Sequence, residues 1–306
     1  MIKRTLYFGN RAYLSLKDNQ LVVKKNDEEP KTVPVEDVGY IVLDSPQVTL
    51  SCALLSFLME NNCAVICCDG RHLPSGLFLP LSGNSLQNER FRAQVEASLP
   101  LKKQLWQQTV QQKILNQASV LELFRRDSVK TMLGFAGNVR SGDADNREAV
   151  AAACYWKSLF PEIENFTRDR FGVPPNNAFN YGYAILRAVV ARSLVSSGLL
   201  PTLGIHHANR YNAYCLADDI MEPYRPIVDK LIVEKLQDVG EISEELSKEF
   251  KVALLQIPVL DTRIDGKRSP LMNAVTQTTT SLCRCFLGET RKVLYPEVPN
   301  GKDQRV

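Results

Sequence analysis

Leu101-Lys102-Lys103-Gln104-Leu105-Trp106-Gln107-Gln108-Thr109-Val110-Gln111-Gln112-Lys113-Ile114-Leu115-Asn116-Gln117-Ala118-Ser119-Val120-Leu121-Glu122-Leu123-Phe124-Arg125 decides how this chain divides. Leu105, Val110, Ile114, Leu115, Val120, Leu121 and Phe124 recur at helical spacing among Gln and Lys. That is the pattern of an amphipathic helix. The run is unusually long for a globular helix, and a break within it is expected. The chain before it reads as short β-prone runs, and helical periodicity dominates from about Ser85 onward. The expected fold is therefore α+β. A small N-terminal β-rich domain, residues 1–80, precedes a larger all-α-helical domain, residues 81–306.

Toward the N-terminus, Thr5 to Phe8, Tyr13 to Leu16 and Leu21 to Lys24 predict strands, with Lys17-Asp18-Asn19-Gln20 as a hairpin turn. Val33 to Val35, Val38 to Leu43, Ala64 to Cys68 and Leu77 to Leu79 continue the pattern. Ser51 caps a helix whose stripe is Ala53, Leu54, Leu55, Leu58 and Met59. Toward the C-terminus a helix is expected from near Asp145, which stands at capping-box spacing from Glu148. Pro174-Pro175-Asn176-Asn177 reads as a loop, and Phe179 to Ser197 as a helix closed by Gly198. Further helices fit Leu216 to Met221, Tyr224 to Leu236, Ser243 to Leu255 and Pro270 to Leu287. The tail Asn300 to Val306 is expected to fray.

Length supports the division, since 306 residues exceed one ordinary domain. Hydrophobic residues at 44% and charged residues at 23% are the balance of a globular chain, not of a disordered one. The net charge is only +3, so any grip on a polyanion must come from local clusters of Lys and Arg. Met1 to Tyr7 carries basic residues with no apolar core behind them, which does not read as a signal peptide. Arg187 and Arg192 interrupt the apolar stretch Tyr183 to Leu200, where a lipid-spanning helix would tolerate them poorly. The eight cysteines sit mostly in apolar or helical patterns, as buried thiols of a reducing cytoplasm do. Cys63, Cys67, Cys68 and His72 lack a paired C-x-x-C spacing, and a buried strand is a better reading of them than a zinc site.

Two of the three histidines are adjacent, in Gly204-Ile205-His206-His207, and Asp218-Asp219-Ile220-Met221-Glu222 follows. On a helix, Asp218 and Glu222 are i and i+4, and Asp219 and Glu222 are i and i+3, so carboxylates share a face. Carboxylate oxygens suit Mg²⁺ or Mn²⁺, and an imidazole tilts the choice toward Mn²⁺ or a softer ion. The bland alternative is that such acids serve the helix dipole and that the histidines are surface residues. Neither a G-x-S-x-G elbow nor a G-x-x-x-x-G-K-[ST] phosphate loop occurs, which counts against serine hydrolases and nucleotide binders.

Three blocks carry a resemblance. Asn177-Ala178-Phe179-Asn180-Tyr181-Gly182-Tyr183-Ala184-Ile185-Leu186-Arg187 resembles the N-x-x-x-N-Y-G-Y-x-x-L-R signature of the CRISPR-associated adaptation integrase family. Gly198 to His207 is similar to its G-L-x-P-x-L-G-x-x-H segment, and Asp218 to Pro226 to its D-L-M-E-P-F-R-P block. The blocks follow the family's order, and the likeness extends over nearly the whole chain. His206-His207-Ala208-Asn209-Arg210-Tyr211-Asn212-Ala213-Tyr214 is most similar to the form found beside type II RNA-guided effector nucleases.

The resemblance implies a metal-dependent DNA endonuclease and integrase that inserts short foreign duplexes into the CRISPR array by 3′-hydroxyl attack on a phosphodiester. It implies Glu148, His207 and Glu222 as catalytic residues and ligands of Mg²⁺ or Mn²⁺. His206, where the family usually has an apolar residue, becomes a candidate supporting group or competing ligand. Asp218 and Asp219 are supporting candidates, for a second ion or for a hydrogen bond to Arg225. Candidate DNA contacts are Arg187, Arg192, Arg225, Lys267, Arg268, Arg284, Arg291 and Lys292, with binding that is tolerant of sequence and weakens steeply with salt. The implied partners are double-stranded DNA, a second copy joined through the β-rich domain, a small companion adaptation protein, and the type II effector nuclease. Two other readings stay open: a non-catalytic DNA-binding scaffold, and a metal-dependent repair nuclease for branched DNA.

Overall fold

The computed structural model describes residues 3–26, 28–163, 166–240 and 243–299. The tail expected to fray lies outside them. The chain forms two compact units, Met1–Gln87 and Asn88–Val306, against an expected division at residue 80.

The first unit contains two four-stranded sheets. Its elements are β1 (Arg4–Phe8), β2 (Ala12–Lys17), β3 (Gln20–Lys24), β4 (Lys31–Pro34), β5 (Val38–Leu43), β6 (Val48–Leu50), α1 (Cys52–Glu60), β7 (Ala64–Cys68) and β8 (Pro74–Phe78). One sheet runs β1-β5-β7-β8, parallel except for β8, and the other runs β4-β3-β2-β6. Asp18 and Asn19 both take positive φ (50° and 59°), and Lys17 faces Gln20. These two short polar residues tolerate the left-handed conformation that a two-residue hairpin turn needs. Ser51 Oγ accepts the Leu54 N–H at 3.3 Å and starts α1 as its sequence indicated. Leu14, Leu21, Val38, Ile41, Leu54, Leu58 and Val65 close the core between sheets and helix.

The second unit is helical, with one small sheet that periodicity did not reveal. It holds α2 (Gln87–Val95), α3 (Leu99–Leu123), α4 (Val129–Gly137), α5 (Arg147–Leu159), α6 (Asn176–Ser196), α7 (Cys215–Met221), α8 (Arg225–Val239) and α9 (Lys248–Leu254). β9 (Asp261–Ile264), β10 (Lys267–Pro270), α10 (Leu271–Phe286) and β11 (Pro296–Glu297) complete it. The sheet runs β10-β9-β11 and is antiparallel.

The expected break in the long helix is absent. Ser98 caps α3 by accepting the Leu101 N–H, Pro100 stands in its first turn, and no Gly or Pro interrupts 101–123. Trp106, Thr109, Val110, Lys113, Ile114, Asn116, Gln117, Val120 and Leu121 are all buried. α3 is thus a central strut with helices on several sides, which explains why its apolar stripe is diluted with polar side chains. α6 opens at Asn176 rather than after the expected loop, because Asn176 spends its side chain on the Thr167 and Val173 carbonyls and the Asp169 N–H. A methyl group at Gly182 would lie 2.8 Å from Val228 Cγ1, so the glycine of the Asn-Tyr-Gly-Tyr block lets α6 and α8 approach closely. α9 begins at Lys248, capped by Ser247, five residues later than Ser243. No helix among the described residues is long and apolar enough to cross a membrane.

Candidate active site

Three distant segments meet against α3. Lys113, on the buried side of α3, holds its Nζ 2.5 Å from Glu148 Oε1 and 2.5 Å from Glu222 Oε2. Glu222 lies in the 3-10 turn Glu222–Tyr224 between α7 and α8, and its Oε1 receives Arg225 NH2 at 3.0 Å. Asn116 ties this turn to α3 by donating to the Pro223 carbonyl at 2.7 Å. Glu148 sits in the first turn of α5. That helix is not capped by Asp145, which pairs with Arg140 at 3.2 Å. Asp143 caps it instead, accepting the Arg147 and Glu148 N–H groups at 2.8 and 3.0 Å, because the turn through Gly142 swings its carboxylate over the helix end.

His207 stands on a loop organised around one carboxylate. Asp219 is fully buried and accepts the backbone N–H groups of Ile205 (2.7 Å), His206 (3.0 Å) and His207 (3.2 Å). The same group meets His207 Nδ1 at 2.5 Å. This pins the imidazole by Nδ1 and turns Nε2 away from the carboxylate, an arrangement that also occurs where a carboxylate orients a metal-binding histidine. Gly204 is required here, since a Cβ would fall 2.3 Å from the His207 carbonyl oxygen and 2.7 Å from Asp219 Oδ2.

The electrostatics tie the three groups together. The hydrogen bond that His207 donates to Asp219 raises its proton affinity above the ordinary histidine value, burial opposes it, and Asp219, Glu222 and Glu148 add to it through space. Burial alone would push Glu222 up, but Arg225, Lys113 and His207 hold it below the ordinary carboxylate value. Burial works against the Lys113 charge, yet Glu222 and Glu148 outweigh it and raise the amine.

Among the described residues, no three His, Cys, Asp or Glu side chains stand close enough together to hold a metal ion as they are. The Lys113 ammonium occupies the point that both carboxylates reach. Glu222 Oε2 is buried and, despite that ammonium, receives no aligned hydrogen bond. Two carboxylates converging on one cation, an unsaturated buried oxygen and an imidazole oriented from behind fit a divalent ion of the Mg²⁺ or Mn²⁺ type, with Lys113 Nζ standing where the ion would be.

The other candidates have different partners. Asp218 receives Arg187 Nε at 2.6 Å and Asn212 Nδ2 at 2.7 Å, and Arg225 pairs with Glu222 rather than with Asp218 or Asp219. His206 lies flat on Trp106 (ring centroids 4.2 Å, planes within 1°) and edge-on to His207. Arg268 pairs with Asp261 at 2.6 Å and Arg284 with Glu289 at 3.0 Å, both exposed. Arg192 is half-buried on α6, and Lys267, Arg291 and Lys292 are exposed. Of the zinc alternative, Cys67 and Cys68 lie on β7, and His72 Nδ1 meets Asp44 at 2.9 Å.

Lys113 was not anticipated. Its signal was readable: a lysine on the apolar stripe that carries Trp106, Val110, Val120 and Leu121 is out of place unless an acid meets it. Asp229 was missed as well. It is buried, accepts Tyr183 Oη at 2.6 Å and Tyr155 Oη at 3.0 Å, and Tyr183 in turn lies under Arg225 at 4.8 Å. Burial pushes the Asp229 carboxyl up to about 7, against the pull of those two hydrogen bonds and of Arg225 and Arg168.

The family described as "CRISPR associated protein Cas1" matches residues 6–246. A CRISPR-associated endonuclease Cas1 from Neisseria meningitidis serogroup C is 39% identical over 97% of this chain and 97% of its own. Among solved structures, a casposase bound to integration product superposes with a TM-score of 0.77 at 18% identity, over 96% of this chain and 92% of that one. A Cas6-RT-Cas1–Cas2 complex superposes with a TM-score of 0.73 at 18% identity, over 95% of this chain and 35% of that one.

Proposed function

The chain belongs to the CRISPR-associated Cas1 family, and on that premise we propose that it is a metal-dependent DNA endonuclease and integrase that inserts short duplexes into the CRISPR array. The Neisseria relative is described as a CRISPR-associated endonuclease, which supports the nuclease part of this reading. The casposase with its integration product supports a joining reaction on this fold. The observation that carries the reading is the convergence of Glu148 and Glu222 on one cationic point, 2.5 Å from each, beside a histidine pinned by Asp219.

Glu148, Glu222 and His207 would hold a divalent ion there, and once bound it would supply Lewis acidity toward a phosphoryl oxygen and the leaving oxygen. Glu148 and Glu222 supply the negative charge that holds it. Asp219 fixes the His207 ring so that Nε2 donates its lone pair without a search for orientation. Arg225, paired with Glu222, brings a positive charge beside the carboxylates, where a phosphodiester and its developing charge need it. The attacking group is the 3′-hydroxyl of a short duplex, and the target is a phosphodiester of the CRISPR repeat.

The Cas6-RT-Cas1–Cas2 complex supports a small companion protein and a larger hetero-oligomer. A homodimer formed through the β-rich unit and contact with the type II effector nuclease belong to the same reading.

Glu148→Ala, His207→Ala and Glu222→Ala each abolish strand transfer from a labelled duplex into a repeat-containing plasmid while leaving the fold intact. Near-normal joining by any of the three removes that residue from the site. Products that are cut but never joined favour the repair nuclease. Binding without any chemistry favours the scaffold.

A further inference from the structure

His206 and Trp106 form a stacked pair beside the site. The His206 ring lies parallel to the Trp106 indole within 1°, with centroids 4.2 Å apart. Trp106 is only 1% exposed and its Nε1 has no hydrogen-bond partner, so at this place it contributes a rigid face rather than a donor. Asp219 anchors the His206 N–H at 3.0 Å, and the His207 ring stands edge-on at 5.3 Å. One face of the imidazole is covered by the indole and a side by His207, yet the residue is exposed. Neither Trp106 nor His207 covers the ring face opposite the indole, which stands beside the proposed ligand. The same loop exposes Tyr211 to 80%, with the Arg210 guanidinium 4.6 Å from its ring. An exposed ring under a guanidinium is a further surface of the kind that single strands stack on.

We propose that His206 is a stacking platform for one unpaired nucleobase of the DNA strand whose phosphate reacts at the neighbouring centre. The inference rests on the reading of that centre as a DNA-joining site. A phosphodiester held at a divalent ion carried by Glu148, His207 and Glu222 would have its flanking nucleotides within reach of His206, the residue adjacent to His207. Bases inside a duplex have both faces covered by their neighbours, so a protruding ring backed by a buried indole takes only a base that has left the stack. The preference is for single-stranded ends, with little sequence selectivity, because every base has a π-face.

The test uses the full-length protein with Mn²⁺ and duplexes bearing a short 3′ overhang, with 2-aminopurine placed at successive overhang positions. The wild type quenches the probe at one position near the reacting end. His206→Phe keeps that quenching, and His206→Ala loses it and binds the overhang duplex about tenfold more weakly. Affinity for a blunt duplex, and Mn²⁺ binding read by electron paramagnetic resonance, stay unchanged in both variants. Equal quenching in the wild type and His206→Ala overturns the proposal, as does loss of Mn²⁺ binding in His206→Phe, which would make His206 a ligand. Strand joining by the wild type without any residue-206-dependent quenching sinks the platform alone. Quenching without joining or cleavage sinks the integrase reading instead.

Discussion

Replacing Asp229 with Asn gives the sharpest test of the buried network behind the site. The carboxyl is fully enclosed, bonded by Tyr183 at 2.6 Å and Tyr155 at 3.0 Å, and burial carries it to about 7 from an ordinary 3.8. Between those two values the folded protein keeps a proton that the unfolded chain has released. The folded state then binds more protons than the unfolded one, so stability falls as pH rises through the window. At about 1.36 kcal/mol per pH step, the total is about 4 kcal/mol, and the fall levels off above about pH 7. Asn does not titrate and lacks this slope. Both tryptophans, Trp106 and Trp156, lie in the helical unit, so urea unfolding followed by tryptophan emission reports that unit alone. The wild type's stability relative to Asp229→Asn should decline by about 3 kcal/mol from pH 4 to pH 7. A difference that stays constant, or that grows with pH, refutes the argument.

Three further outcomes follow from the site. Lys113→Met leaves Glu148 and Glu222 facing each other without their cation, which costs about 3–5 kcal/mol. Adding Mn²⁺ should raise the Tm of this variant more than that of the wild type, since the ion takes the place of the ammonium, and an equal or smaller rise counts against that replacement. Mn²⁺ affinity should fall as pH drops through the raised titration range of His207, because a protonated ring cannot ligate. Asp219→Asn should move that fall to lower pH while weakening binding about 10–100-fold, and a calorimetric titration across pH that shows the fall moving upward contradicts it. Gly204→Ala, whose methyl would sit 2.3 Å from the His207 carbonyl oxygen, should destabilise the helical unit by about 1–3 kcal/mol and lower Mn²⁺ affinity. Unchanged stability and affinity would show that the loop yields without moving His207.

The order of elements was legible because it depends on short-range pattern. Period-two runs and the Asp18-Asn19 turn mark the first unit, and the cap at Ser51 and the closure at Gly198 mark helix ends. The small sheet β10-β9-β11 was not legible, since β11 is the pair Pro296–Glu297 and two residues carry no periodicity. The break expected in α3 failed as well. The expectation rested on length alone, and the helix runs on unbroken with buried polar groups such as Asn116 and Lys113 each satisfied by a partner brought in from elsewhere.

The sequence by itself determined the family blocks, the candidates Glu148, His207 and Glu222, and the succession of a β-rich part and a helical part. The tertiary structure alone decided which charge meets which. It gave Lys113 to Glu148 and Glu222, Asp219 to the histidine loop, Asp218 to Arg187, and the cap of α5 to Asp143. Spacing along a helix says which side chains share a face. It does not say what stands opposite, because a charge's partner is chosen by the packing of segments that are remote in the chain and by the cost of leaving either charge buried alone.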